Sequence, residues 1–76
     1  MSVLDKIVAE ALGIGEDEIT DETGAAVNAE WTSLRHVQIV AAVNREFGVR
    51  LTPRQARSCR SVGELRKVLT ERGHLV

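Results

Sequence analysis

The segment WTSLRHVQIVAAVNREFG, residues 31–48, carries the clearest helical pattern in this chain of 76 residues. Residues 33–47 contain neither Gly nor Pro, and Gly48 follows them directly. The segment therefore predicts a helix of about four turns that ends in a glycine C-cap. Thr32 or Ser33 is its predicted N-cap, because either hydroxyl can accept a hydrogen bond from a free backbone N–H group.

The apolar residues of this helix fall on two separate sides. At about 100° per residue, one side carries Ile39, Val40, Val43 and Phe47. The other side, well over a right angle away, carries Leu34, Val37 and Ala41. A small chain can hardly bury one helix all round, so we predict that the first set faces the core and the second is exposed for a partner. Coverage of the second set by the preceding loop is the alternative.

Before this helix, residues Ser2 to about Leu12 have the spacing of a first helix, with a capping-type Ser2 and a terminating Gly13. From Gly13 to Thr32 the periodicity lapses. A connection of that length is usually functional or disordered. We expect it to be an ordered crossover, because four large apolar side chains can attach it to the core: Ile14, Ile19, Val27 and Trp31.

After this helix, Pro53 follows a capping Thr52 and predicts a short helix to about Ser58. Ser61 and Glu64 have the spacing of a capping box, and an apolar pattern follows until Gly73. No segment alternates with period two for long. The prediction is a single all-α domain, residues 1–76, with three main helices, a short third helix and a long loop between the first two.

Composition limits the class of protein. The hydrophobic share of 43% suffices for a core, and 28% charged residues predict a wet surface. The sequence predicts neither a membrane-spanning helix nor a signal peptide, so we expect a cytoplasmic protein without membrane partners. Nothing in the sequence suggests an obligate dimer, and we expect a monomer. Cys59 is the only cysteine, which excludes an internal disulfide, and we expect it to fill the core between the third and fourth helices.

Charge is distributed unevenly along the chain. Residues 1–44 hold two basic and eight acidic residues, and residues 45–76 hold eight basic and three acidic residues. The basic half could form a nucleic-acid-binding face, built from Arg50, Arg54, Arg57, Arg60, Arg66, Lys67 and Arg72. We do not favour that function, because the net charge is −1 and the only aromatic residues are Trp31 and Phe47.

The candidates for catalysis and metal binding are weak. No carboxylate is spaced to orient His36 towards Ser33, so a hydrolytic Ser-His site is not expected and His36 is predicted to be a surface histidine. His36, Cys59 and His74 lack the spacing of zinc ligands. We therefore predict no catalytic residues and no metal.

A serine that ends a long loop and opens a helix of this pattern resembles the attachment site of acyl carrier and peptidyl carrier proteins. The similarity extends to Leu34 and to the Phe47-Gly48 end of the helix, and it covers nearly the whole chain. It is greatest to small carriers whose motif reads Trp-Asp-Ser-Leu. The resemblance implies an acyl-carrier-like four-helix bundle with a covalent 4′-phosphopantetheine arm, derived from coenzyme A, on Ser33.

The resemblance also implies a function. Such a carrier is not an enzyme, and it holds acyl or aminoacyl intermediates as thioesters on the arm for polyketide, nonribosomal peptide or fatty-acid-like biosynthesis. Its expected partners are a phosphopantetheinyl transferase and the acyl-loading and acyl-processing enzymes. The expected partner surface comprises Thr32, Leu34, Arg35, Val37, Gln38 and Ala41.

Thr32 departs from the pattern, since the family usually has Asp at this position. Arg35, His36, Gln38, Asn44 and Arg45 also make the helix less acidic than in fatty-acid carriers. The alternatives that remain are a carrier-like docking module without the arm and a helical nucleic-acid-binding module.

Overall fold

The computed structural model describes residues 3–74 and contains four α-helices. They are α1 (Val3–Leu12), α2 (Ser33–Phe47), α3 (Pro53–Ser58) and α4 (Val62–Glu71). Within the described residues there is no strand, and the predicted all-α bundle with its short third helix is confirmed. None of the described helices is both long and apolar enough to cross a membrane. The predicted cap Ser2 lies outside the described residues.

The ends of α2 follow local signals in the sequence. Thr32 is the N-cap, and its Oγ1 accepts a hydrogen bond from the Arg35 backbone N–H at 3.3 Å. At the other end Gly48 takes the left-handed conformation, with φ of 63°, and its N–H donates to the Asn44 carbonyl. Such a φ suits glycine, because a side chain would be strained there.

The caps of α3 and α4 are local as well. Thr52 and Gln55 form a reciprocal capping box around Pro53, the first residue of α3. At the start of α4, Ser61 Oγ accepts a hydrogen bond from the Glu64 backbone N–H at 3.2 Å. Each cap satisfies a backbone donor that the helix itself leaves free.

The core takes side chains from α1, α2 and α4 and from the residues beside α3. Its largest fully buried members are Leu4, Val8, Ile39, Val43, Cys59, Val62, Leu65 and Leu69. The predicted core side of α2 is therefore confirmed at its centre, and so is the buried position of Cys59. Phe47 is a correction, because it is only half-buried. As the last residue of α2 it packs at the periphery of the core. Its ring makes an edge-to-face contact with the His74 ring, and the two ring centroids lie 5.8 Å apart.

The long loop is ordered by a few anchors. Trp31 is buried, and Ile14 and Ile19 pack partly buried against the core. Val27 was also expected to attach the loop, and that prediction is wrong, since 69% of it is exposed. The reason is local: the Val27 N–H donates to the Gly24 carbonyl, so Val27 lies in a tight turn and points outward.

The middle of the loop is joined to the start of α4 by backbone hydrogen bonds. Ala25 N–H donates to the Arg60 carbonyl at 2.9 Å, and Val62 N–H donates to the Thr23 carbonyl at 2.8 Å. At Gly24 the two segments come so close that a β-carbon would lie 2.3 Å from the Arg60 carbonyl oxygen. Glycine is required here by space.

An ion-pair network adds a second connection between distant segments. Arg66 on α4 binds Asp5 on α1 at 3.2 Å and Asp21 in the loop at 2.9 Å. The guanidinium is well suited to bridge two carboxylates, because its donors lie in a fixed plane. Arg66 therefore joins α1, the loop and α4 on one side of the bundle.

We predict that Gly24→Ala lowers the free energy of unfolding by about 1–3 kcal/mol, as is typical of overpacking. The reason is that the new methyl group would push the loop away from Arg60. Chemical denaturation followed by circular dichroism measures the effect. Gly15→Ala is the matched control, because the nearest atom to its β-carbon is the flexible Asp17 carboxylate. Equal stability of the two variants would contradict the close approach at Gly24.

Candidate functional site

Ser33 is exposed and occupies the first position of α2, directly after the Thr32 cap. Among residues 3–74 its hydroxyl makes no hydrogen bond, and neither do the backbone N–H groups of Ser33 and Leu34. These two donors lie at the positive end of the α2 dipole, which favours a negatively charged group. A phosphate ester on the Ser33 oxygen would therefore meet free backbone donors at its own point of attachment.

The side chains of Trp31 and His36, which flank Ser33 in the sequence, form a buried hydrogen-bonded pair of rings. Trp31 Nε1 donates to His36 Nδ1 at 3.1 Å, and the ring centroids lie 6.1 Å apart. The other imidazole nitrogen, Nε2, lies 2.6 Å from the Ala56 carbonyl oxygen of α3. Since an indole N–H can only donate, Nδ1 must be the acceptor and Nε2 must carry the proton. The imidazole is therefore neutral when both bonds are made.

The prediction that His36 is a surface histidine is wrong, because only 8% of it is exposed. A signal for its burial was present in the sequence. His36 precedes the core residues Ile39 and Val43 by three and seven positions, which places it on the same side of α2. A buried histidine needs hydrogen-bond partners, and the sequence does not reveal that Ala56, 20 residues away, supplies one.

The second apolar side of α2 is exposed, as predicted. Leu34 is 68% exposed and Val37 63% exposed, and Ala41 lies on the same open side. No described segment covers them, so the alternative of a covering loop is wrong.

The remaining residues of the expected partner surface lie in different environments. Thr32 and Gln38 are exposed, and Gln38 borders the cleft between α1 and α2. Arg35 is half-buried, and its Nη1 donates to the Leu12 carbonyl at the end of α1, 3.2 Å away. Only part of the Arg35 side chain is therefore accessible to a partner.

An apolar recess of about 400 Å³ lies between α2 and α3. Its lining combines the exposed side of α2 with the first turn of α3, and includes His36, Val37, Val40, Ala41, Asn44, Pro53, Ala56 and Arg57. The recess adjoins the carbonyl that His36 binds. The position of α3 therefore sets both the width of the recess and the hydrogen bond to His36.

The segments before and after Ser33 in the sequence differ in charge. Residues 13–32 contain six acidic and no basic residues, whereas residues 31–63 contain six arginines and one acid, Glu46. Glu46 pairs with its neighbour Arg45 at 3.3 Å. Of the proposed nucleic-acid-binding residues, Arg66 binds two carboxylates and Arg72 donates to Gln55 Oε1 at 2.8 Å. The basic cluster is therefore partly engaged within the protein.

Cys59 lies away from this surface. Its side chain is fully buried, and this desolvation is the main cause of a thiol pKa raised above the usual value, with a smaller opposing effect from a hydrogen bond to Ser58. A raised pKa leaves less of the reactive thiolate. Within residues 3–74, no group of three or more His, Cys, Asp or Glu side chains is arranged to hold a metal ion.

Comparison with known protein families identifies the chain. The family described as "Phosphopantetheine attachment site" matches residues 2–69, which include the loop, Ser33 and all of α2 and α3. Its cofactor is covalently bound 4′-phosphopantetheine. The free backbone donors and the exposed hydroxyl at the head of α2 suit the phosphate of such an arm. The chain belongs to this family and is a phosphopantetheine carrier with an acyl-carrier-like fold.

Proposed function

We propose that Ser33 bears the 4′-phosphopantetheine arm and that the chain carries acyl or aminoacyl groups as thioesters for a polyketide, nonribosomal peptide or fatty-acid-like pathway. The observation that carries the proposal is the exposed Ser33 hydroxyl at the first residue of α2, which makes no hydrogen bond within residues 3–74. When bound, the arm supplies the thiol that forms the thioester. The protein contributes the attachment oxygen, two backbone donors towards the phosphate and the Thr32 cap at the start of α2.

The surroundings of Ser33 support a carrier rather than a hydrolase. His36 uses both ring nitrogens in hydrogen bonds, and neither bond is to Ser33. A general base needs a nitrogen within hydrogen-bond reach of the hydroxyl that it activates. Cys59, the other candidate nucleophile, is buried with a raised thiol pKa. In the protein that carries the arm, the reactive thiol would then be that of the arm.

The exposed side of α2 supports a docking role. An apolar face of Leu34, Val37 and Ala41 begins directly after Ser33 and extends about two turns along α2, where an enzyme that acts on the arm must approach. The six arginines between residues 31 and 63 favour partners with acidic groups around an apolar contact. We propose this face, together with Thr32, Arg35 and Gln38, as the contact for the transferase and for acyl-loading and acyl-processing enzymes.

One observation favours a second candidate, a docking module without the arm. Thr32 stands where the family usually has Asp, and here it serves as the helix cap. A transferase that uses an acidic residue beside its target would act slowly on this chain. The experiments on Ser33 and Thr32 separate the two candidates.

We predict that a broad-specificity phosphopantetheinyl transferase with coenzyme A adds the mass of one arm to the wild-type protein and none to Ser33→Ala. Intact-mass spectrometry reads the result. Ser58→Ala is the control, because it removes another exposed serine hydroxyl and should leave modification unchanged. A mass gain in Ser33→Ala would exclude Ser33 as the site, and an unmodified wild type would favour the docking module.

We predict that Thr32→Asp accelerates modification without changing helical content. Asp is also a good N-cap, and its charge at the helix start is favourable by about 0.3–1 kcal/mol. Initial rates of modification and far-ultraviolet circular dichroism measure the two effects. Thr32→Asn is the control, because it keeps the cap without the charge. If Asn accelerates modification as much as Asp, the acidic group is not the cause.

We predict that Val37→Asp changes stability by no more than about 0.5 kcal/mol, because the side chain is exposed, yet lowers transferase kcat/KM. Ile39→Ala, two positions along α2 in the core, should cost about 2–5 kcal/mol. Thermal melting and modification kinetics measure the contrast. Thr70→Asp introduces the same charge at an exposed position in the last turn of α4, where it should cost no more than about 1 kcal/mol and leave kcat/KM unchanged. A Val37→Asp protein that melts like Ile39→Ala would remove the basis for a docking face.

A further inference from the structure

The Trp31–His36 hydrogen bond spans the attachment position. Trp31 lies two residues before Ser33, and His36 lies three residues after it. Both side chains are buried, and the bond joins the last turn of the loop to the first turn of α2. The backbone that carries Ser33 is therefore held from both sides by one side-chain contact.

The imidazole is fixed at both ends. Nδ1 accepts from the Trp31 indole, and Nε2 donates to the Ala56 carbonyl of α3 at 2.6 Å. In the described part of the chain, no fully buried side-chain nitrogen or oxygen lacks a partner. Loss of either bond would leave a polar group buried without a hydrogen bond, so the geometry resists rotation of the ring.

Few hydrogen bonds involve Ser33 itself. Its side chain and its N–H make no hydrogen bond among the described residues, and the Thr32 cap contact is exposed and long at 3.3 Å. An exposed cap of that length is a weak restraint on direction. The backbone bond from the His36 N–H to the Thr32 carbonyl, at 2.8 Å, closes the first turn, and the buried Trp31–His36 bond adds a side-chain restraint on the same segment. The Trp31–His36 bond therefore influences where the Ser33 hydroxyl points.

We propose that His36 is a positioning residue for transfer of the arm to Ser33, and that it acts through its bond from Trp31. Its bond to Ala56 has a separate role, which is to hold α3 against α2. This inference rests on the proposed function, since it takes Ser33 as the modified residue. A small displacement of a reacting group can lower a rate substantially, so loss of the Trp31 bond should affect the transfer step.

Two substitutions separate the two bonds. The amide oxygen of Asn lies where His Nδ1 lies, so His36→Asn can still accept from Trp31 but cannot reach Ala56. The amide nitrogen of Gln reaches the place of His Nε2, so His36→Gln can still donate to Ala56 but leaves the Trp31 N–H unpaired.

We predict that kcat of the transferase falls about five- to tenfold on His36→Gln and stays within about twofold of wild type on His36→Asn. KM for the carrier should be unchanged in both, because the docking face is intact. Rates are measured below the melting temperature and divided by the folded fraction from circular dichroism. A purely structural role would lower the folded fraction and leave the corrected kcat values alike.

Trp31→Phe tests the same bond from its other end. It should lower kcat as much as His36→Gln, and the double variant should lose no more than either single variant, since all three lack one and the same bond. If His36→Gln fails to fold, Trp31→Phe provides the kinetic result. Trp31 is the only tryptophan, so its fluorescence reports the bond directly: the emission of His36→Gln should differ from wild type and that of His36→Asn should not.

Equal corrected kcat values for the Asn and Gln variants, or a change in KM alone, would overturn the positioning role while leaving Ser33 as the attachment site. An unmodified wild type, or modification of Ser33→Ala, would overturn the proposed function and this inference with it. The two failures are distinguishable by the mass of the wild-type protein and the Ser33→Ala variant.

Discussion

The hydrogen bond between the Trp31 indole and the His36 imidazole joins the end of a 20-residue loop to the helix that follows it. It adds a side-chain contact to the backbone bond that the Thr32 carbonyl accepts from the His36 N–H at 2.8 Å. The bond also continues to Ala56, which places α3 beside α2 and shapes the recess between them. One buried histidine thus joins the end of the loop, the first turn of α2 and α3 close to Ser33.

The size of the domain determines how α2 is used. Its core is built from side chains of three helices, and a 76-residue chain cannot surround a 15-residue helix completely. The core takes Ile39 and Val43, which leaves Leu34 and Val37 in contact with solvent. Burial of one side therefore creates an exposed apolar side. Under the proposed function, that surface lies next to Ser33, the residue on which partner enzymes would act.

The loop of residues 13–32 is acidic, and the region of α2 and α3 is rich in arginine. Asp21 and Arg66 use part of this charge to join the loop to α4. Much of the remainder is exposed and favours encounter with partners of complementary charge. The chain belongs to a family in which the cofactor carries the reactive thiol, and a protein in that role contributes position and recognition. The burial of both His36 and Cys59 agrees with that division.

The sequence by itself determined the helices and much of the candidate site. Caps such as Thr52 and Ser61 act on a donor three residues away, and Gly48 ends α2 through its own backbone conformation, so these signals are local and readable. The two sides of α2 were predictable for the same reason, because helical spacing assigns residues to faces.

The tertiary structure alone decided which neighbours those faces meet. His36 is buried because Trp31 and Ala56 satisfy its nitrogens, Phe47 is half-exposed because the core ends beside it, and Arg66 is engaged because Asp5, 61 residues away, packs against α4. Contacts between residues so far apart form only when the whole chain has folded, and no local pattern records them.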